Sequence, residues 1–335
     1  MTIFESIPTC FYHPIKVIFL DDNRAFLDTL ELEFNDCINM QTFTNPDAVL
    51  CMLNHHREDI NKSILTLVNN LDVDTTTDRV VGFEINKILD IIYDKTRFNN
   101  TAILVVDYEM PNINGVDFCL KLKGKNIFKI MLTAEADKDT AIKAFNNGAI
   151  DKFLLKTNEN LYRELAAAIV ELTHNYFKKS SQTIIHGYNN SINSLFNNEA
   201  YQQLFKKIWL DTQAVEYYMV DNSGSFLFLD KNAVPTWLIL RHVKDLHEQL
   251  ELFQGYDVED EILLSLSKNE KMLFLPSEKE YKKPVNEWIN YLFEAKQLDD
   301  NYYYSVVNSR ITDSIKWDKV VPYAATLELA EVINS

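Results

Sequence analysis

The sequence predicts an α/β unit built on a doubly wound, five-stranded parallel sheet with a helical insertion. An α+β unit with an antiparallel sheet is expected to follow it. Three observations lead there. In the first half of the 335 residues, short apolar runs alternate with stretches of helical spacing. One of these runs, Ala102–Val106, is apolar at every position and three others are apolar at all but one, which marks strands covered on both faces. Beyond Glu199 the runs are separated by tight-turn signals, which marks hairpins.

Lys16 to Leu20 (KVIFL) is the first strand. It is followed by Arg24–Phe34, with Phe26, Leu27, Leu30 and Phe34 on one helical face. Met40–Phe43 is a second strand, and Pro46 opens a helix where proline is welcome. Ala102–Val106, Ile127–Leu132 and Lys152–Leu155 are the remaining three. Helical patterns lie near Val116–Leu122, Asp137–Asn147 and Asn158–Phe177.

Hydrophobic residues are 47% and charged residues 24%, which excludes a disordered or fibrous chain. The net charge of −16 disfavours nucleic acid and anionic membranes as partners. No run of 18 apolar residues occurs, so no transmembrane helix is expected. Met1–Pro14 lacks the pattern of a signal peptide and reads as an N-terminal extension. Cys10, Cys37, Cys51 and Cys119 show no metal-type spacing, so reduced thiols in the cytoplasm are expected.

In a doubly wound sheet, ligands bind outside the carboxyl ends of the strands. Asp21, Asp22, Asp107, Thr133 and Lys156 stand at those ends. Carboxylates suit a hard cation such as Mg2+, and a cation beside a lysine suits a phosphoryl group. Strand-end polar residues also serve simply to solvate loops, but five at once fit a site better.

These residues sit in four motifs: the Asp21–Asp22 pair, VVDYEMPNINGVD around Asp107, MLTAEAD around Thr133 and GAIDKFLLK ending at Lys156. Together, over residues 15–178, they resemble the receiver domain of bacterial two-component response regulators. A quorum-sensing or virulence-type regulator of the sort found in Legionella is one candidate relative. The resemblance implies that Asp107 accepts the phosphoryl group. It implies Mg2+ held mainly by Asp22, with Asp21, Asp107 and the backbone carbonyl of Glu109. It also implies that Thr133 and Lys156 contact the phosphoryl oxygens. Phe153 is then an apolar switch or a plain core residue, and Gly115 a turn former or an ordinary helix-start glycine. The partners implied are a sensor histidine kinase or phosphotransfer protein, and a second copy of the chain docking through about residues 137–177. Mixed charges there (Lys138, Asp139, Lys143, Asp151, Lys152 and Glu171) suit such a pairing or a solvated face.

Two departures stand out. Thr157 follows Lys156 where the family usually has proline, often in cis; a cis bond to Thr157 would cost about 3 kcal/mol, and the sequence leaves cis or trans open there. Asp22 and Asp107 are 85 positions apart, nearly twice the usual receiver separation. The surplus, about residues 54–98, reads as a helical hairpin. Ile60, Ile64, Leu67, Val68 and Leu71 form one face, and Phe83, Ile85, Ile88, Leu89, Ile91 and Ile92 another, around an acidic turn at Asp72–Asp78. It is either a packing element or a docking element.

Residues 179–198 read as a linker. From residue 199 to 335 helices are expected at Glu199–Leu210, Leu246–Phe253, Glu259–Leu266 and Val285–Ala295. Strands are expected at Ala214–Val220, Ser225–Leu229, Thr236–Leu240, Lys271–Leu275 and Tyr302–Val307, in a vaguely PAS-like meander. His242 and His247 are five apart and share no helix face, so they do not suggest a metal site. No enzyme motif is recognised there. The leading reading is a phosphorylation-controlled regulator whose output works through protein or ligand contacts. The alternatives are a regulated enzyme with its active site in the second half, or a non-standard nucleic-acid-binding regulator.

Overall fold

The structure is a computed structural model that describes residues 8–34, 38–55, 86–134, 138–186 and 191–327. The chain divides into two compact units, neither of them a continuous stretch. Among the described residues, 14–55 and 96–180 form the first, and 8–13, 86–95 and 181–327 the second. No helix among the described residues is long and apolar enough to cross a membrane.

The strands of the first half are β1 (Phe11–Tyr12), β2 (Lys16–Leu20), β3 (Met40–Phe43), β4 (Thr101–Asp107), β5 (Phe128–Thr133) and β6 (Lys152–Leu155). β2 to β6 build the parallel sheet of the first unit in the order β3-β2-β4-β5-β6. All seven residues of β4 are buried, as expected of a central strand with helices on both faces. One face packs Ile18, Leu104 and Met131 with Phe118 and Leu122 from the helix side. Leu165, Ile169 and Leu172 of the last helix are also buried.

That last helix, Leu161–His186, runs well past the Phe177 at which the sequence pattern ends. Serines that look like linker are used inside it. The Ser180 hydroxyl donates to the Tyr176 carbonyl at 3.0 Å, and buried Ser181 accepts from the Cys10 backbone N–H at 2.9 Å. A further helix, Ser191–Phe196, occupies half of the rest of the expected linker.

The second unit adds β7 (Ala214–Met219), β8 (Phe226–Asp230), β9 (Pro235–His242), β10 (Lys271–Leu273), β11 (Leu292–Glu294), β12 (Lys296–Gln297) and β13 (Tyr302–Val307). Its main sheet is antiparallel, in the order β1-β7-β8-β9-β13-β12. The β7–β8 turn follows its sequence signal: Gly224 has φ +89°, and Asp221 Oδ1 accepts from the N–H groups of Ser223 and Ser225. Helix Glu199–Thr212 packs Phe205 on the sheet, its ring 4.9 Å from Tyr217 and 4.8 Å from Phe228.

Three features differ from the sequence reading. The N-terminal extension contributes β1, where Phe11 and Tyr12 pair with Tyr218 and Tyr217. Val285–Ala295 is helical only to Trp288; Ile289–Tyr291 form a 3-10 turn and Leu292–Glu294 pair with Lys271–Leu273. Long-range pairing there overrides a local helical pattern. The described end of the surplus segment, Asn86–Tyr93, belongs to the second unit rather than to the receiver-like sheet. Ile88 and Ile92 are fully buried as expected, while Leu89 is only half-buried. The change from α-helix to 3-10 pitch at Asp90 rotates the buried face past Leu89. The turn at Asp72–Asp78 and the face from Ile60 to Ile85 lie outside the described residues.

Candidate functional site

The sheet order reverses between β2 and β4, and the site forms at the carboxyl ends of those two strands. Register does the positioning. Leu20 is paired with Val106, so Asp21 follows one strand where Asp107 ends its neighbour. Asp107 is paired with Leu132 and Thr133 with Leu155, which brings Thr133 and Lys156 into the same row. Strands 85 positions apart in sequence thus become adjacent.

Asp21 and Asp107 are buried, at 2% and 5% exposure, whereas Asp22 faces solvent. Carboxylate oxygens of all three lie within 4.8 Å of one another. Lys156 reaches into this group: its Nζ is 2.7 Å from Asp21 Oδ2 and 2.8 Å from Asp107 Oδ1. Burial pushes the Asp107 carboxyl above its usual range, and the Lys156 ammonium only partly offsets this. Burial also works against the charge on Lys156, but hydrogen bonds to Asp107 and Asp21 outweigh it and raise its pKa.

Thr133 is fully buried, and its hydroxyl donates to the Ala134 carbonyl at 3.2 Å rather than to the carboxylates. Glu109 is exposed in the loop after β4 and its carboxylate is not part of the cluster. Phe153 is half-buried, with its ring 6.5 Å from the largely exposed Phe145. The Lys156–Thr157 peptide is trans. Of the mixed charges at 138–171, Lys152 pairs with Glu171, and Asp151 accepts from the Lys129 N–H at 2.7 Å.

Two participants escaped the sequence reading. Lys156 Nζ lies 4.9 Å over the Phe26 ring, so the helix after β2 helps to hold the ammonium. Asp21 Oδ1 accepts from the Asn23 N–H at 2.9 Å, which fixes the carboxylate. Phe26 stood in the sequence only as one member of an apolar stripe. Gly115 is explained by space rather than by backbone angle: a side-chain carbon there would meet the Asp107 carbonyl.

A family model for the response regulator receiver domain matches residues 80–169. That range holds Asp107, Thr133 and Lys156 but leaves out the strand bearing Asp21 and Asp22. Chemotaxis protein CheY1 of Helicobacter pylori is 34% identical over 61 residues, 17% of this chain and 48% of that protein. The chain carries a CheY-like response regulator receiver domain. The aligned region spans about half the length of that curated relative. The structure of the Legionella pneumophila response regulator LqsR is similar at 27% identity and a TM-score of 0.78. The likeness covers 96% of this chain and 95% of that one, so it extends beyond the receiver domain into the C-terminal region.

The donor set fits a hard divalent cation. Three carboxylates converge, two of them buried, and all offer the hard oxygen ligands that such an ion takes. With the ammonium between Asp21 and Asp107, the arrangement suits a nucleophilic carboxylate receiving an anionic group.

Proposed function

We propose that the chain is a phosphorylation-switched regulator of a two-component system, with Asp107 as the phosphoacceptor. The single observation that carries this reading is the buried Asp107 carboxylate held 2.8 Å from the Lys156 ammonium, beside two further carboxylates. A sensor histidine kinase or phosphotransfer protein would be the donor. An Asp107 oxygen forms a P–O bond as the donor's P–N bond breaks, and the electron pair returns to the imidazole nitrogen. Mg2+, held by Asp21, Asp22, Asp107 and the Glu109 carbonyl, would neutralise charge on the transferring group. Lys156 exchanges part of its contact with Asp107 for a phosphoryl oxygen. The Thr133 hydroxyl leaves the Ala134 carbonyl to bond another, and Phe153 turns into the space released.

This switch would favour pairing of two copies through about residues 137–177, where Ile142 and Phe145 are exposed at 37% and 47%. The second unit then acts through protein or ligand contacts. Mass measurement after incubation with Mg2+ and a small phosphodonor tests the acceptor. One added phosphoryl group is expected, and it should be absent from Asp107→Asn; undiminished incorporation in that variant would overturn the assignment. Sedimentation with and without beryllofluoride tests the pairing, and an unchanged dimer constant with Asp107 occupied rejects it.

A further inference from the structure

An open groove of about 600 Å3 lies in the second unit, beside the β10–β11 ladder. Its floor is Trp288, 6% exposed, and its walls include Tyr256, Tyr281 and Pro284. The Trp288 indole N–H donates to the Glu280 carbonyl at 3.2 Å, so the ring has no polar atom left to offer. Tyr256 and Tyr281 are 52% and 66% exposed, although the Tyr281 ring stands only 5.5 Å from Trp288. Flat aromatic walls around an apolar floor suit proline rings of an extended peptide.

Charge narrows the choice of occupant. Asp257 lines the groove, and exposed Glu259, Asp260 and Glu261 follow it. None of the four takes part in an ion pair among the described residues. Asp260 and Glu261 complement a helix N-terminus, but Asp257 and Glu259 precede the helix, and Glu259 makes no side-chain capping bond. The one basic residue lining the groove, Lys283, is turned to Tyr291, donating to its hydroxyl at 2.8 Å. A nucleic acid would meet unscreened carboxylates, and a symmetric second copy would bring like charges together.

We propose that this groove binds an extended partner segment in which proline stands beside arginine or lysine. It is an output contact that does not depend on the chemistry at Asp107. The probe is a synthetic nonapeptide of proline pairs separated by arginine, with a counterpart carrying glutamate for each arginine, titrated calorimetrically into the full chain. The arginine peptide is expected to bind at least about tenfold more tightly than the glutamate peptide, a difference of about 1.4 kcal/mol. Its affinity should fall with salt, and Tyr281→Ser and Asp257→Lys should each weaken it at least about threefold. Tyr281 is exposed, so its replacement leaves the core intact; an unchanged circular dichroism spectrum checks this. Equal affinity for both peptides, no binding at about 1 mM, or binding untouched by both variants overturns the proposal. So does self-association of the full chain that Tyr281→Ser abolishes, which would assign the groove to a second copy.

Discussion

A side-chain carbon added at Gly115 would stand 2.3 Å from the backbone carbonyl oxygen of Asp107. Gly115 also donates its N–H to the Tyr108 carbonyl at 2.9 Å, which folds the loop after β4 tightly against the strand end. Backbone cannot yield as the tip of a flexible side chain does. Gly115→Ala is therefore expected to cost about 1–3 kcal/mol and to displace Asp107 from Lys156. Urea unfolding and the rate of phosphoryl incorporation measure the two effects. Wild-type values of both would show that the loop relaxes freely.

The pH dependence of stability should carry the mark of Asp107. Its folded pKa lies above the ordinary 3.8, chiefly through burial. The folded state thus keeps a proton that the unfolded state has released, and stability falls as pH rises from 3.8 through the folded value. Without divalent metal, Asp107→Asn removes this loss. The variant is expected to gain on the wild type as pH rises from 4 to 7, by on the order of 1 kcal/mol. Mg2+ should stabilise the wild type more than the variant. Urea titrations in chelator and in Mg2+ decide this; a gain that shrinks with rising pH contradicts it.

Removal of residues 1–13 is expected to weaken the second unit. β1 pairs with β7, and the Thr9 hydroxyl lies 2.9 Å from the Tyr217 hydroxyl. Burial raises the Tyr217 pKa to about 12, the mark of a phenol cut off from water. Losing β1 bares the β7 edge, which also invites aggregation. Faster amide exchange at Ala214–Met219 is the readout. Unchanged protection of β7 would mean that the strand holds without its neighbour.

Glu280 predicts the opposite acid response from Asp107. It is 2% exposed and ringed by hydroxyls: Thr312 donates at 2.7 Å, Ser314 at 3.2 Å, and Ser277 also bonds to it. Burial alone would raise its pKa, but these hydroxyl bonds overcome burial and lower it below the ordinary 4.5. Its contribution is present above pH 4.5 and lost as pH falls through the folded value. Glu280→Gln is expected to cost about 1–3 kcal/mol at pH 7, with the difference shrinking in acid. Chemical denaturation at pH 7 and pH 4 measures both, and an equal cost at the two values would contradict the assignment.

The receiver strands and their polar ends were legible because each is a local event. A covered parallel strand must be apolar at nearly every position, and the residue after it begins a loop that can carry function. Asp21, Asp107 and Lys156 could therefore be named from runs such as KVIFL and AILVV alone. What local pattern could not supply was pairing. Only the register of β2 against β4 makes Asp21 and Asp107 neighbours across 85 intervening positions, and only packing brings the Phe26 ring under Lys156. The same limit explains Phe11–Tyr12 and Leu292–Glu294. A strand of two or three residues has too few positions to show a period, and its backbone groups are satisfied by partners distant in sequence. Composition and periodicity report what a segment buries; which segment it is buried against depends on contacts that form only when the chain has closed its loops.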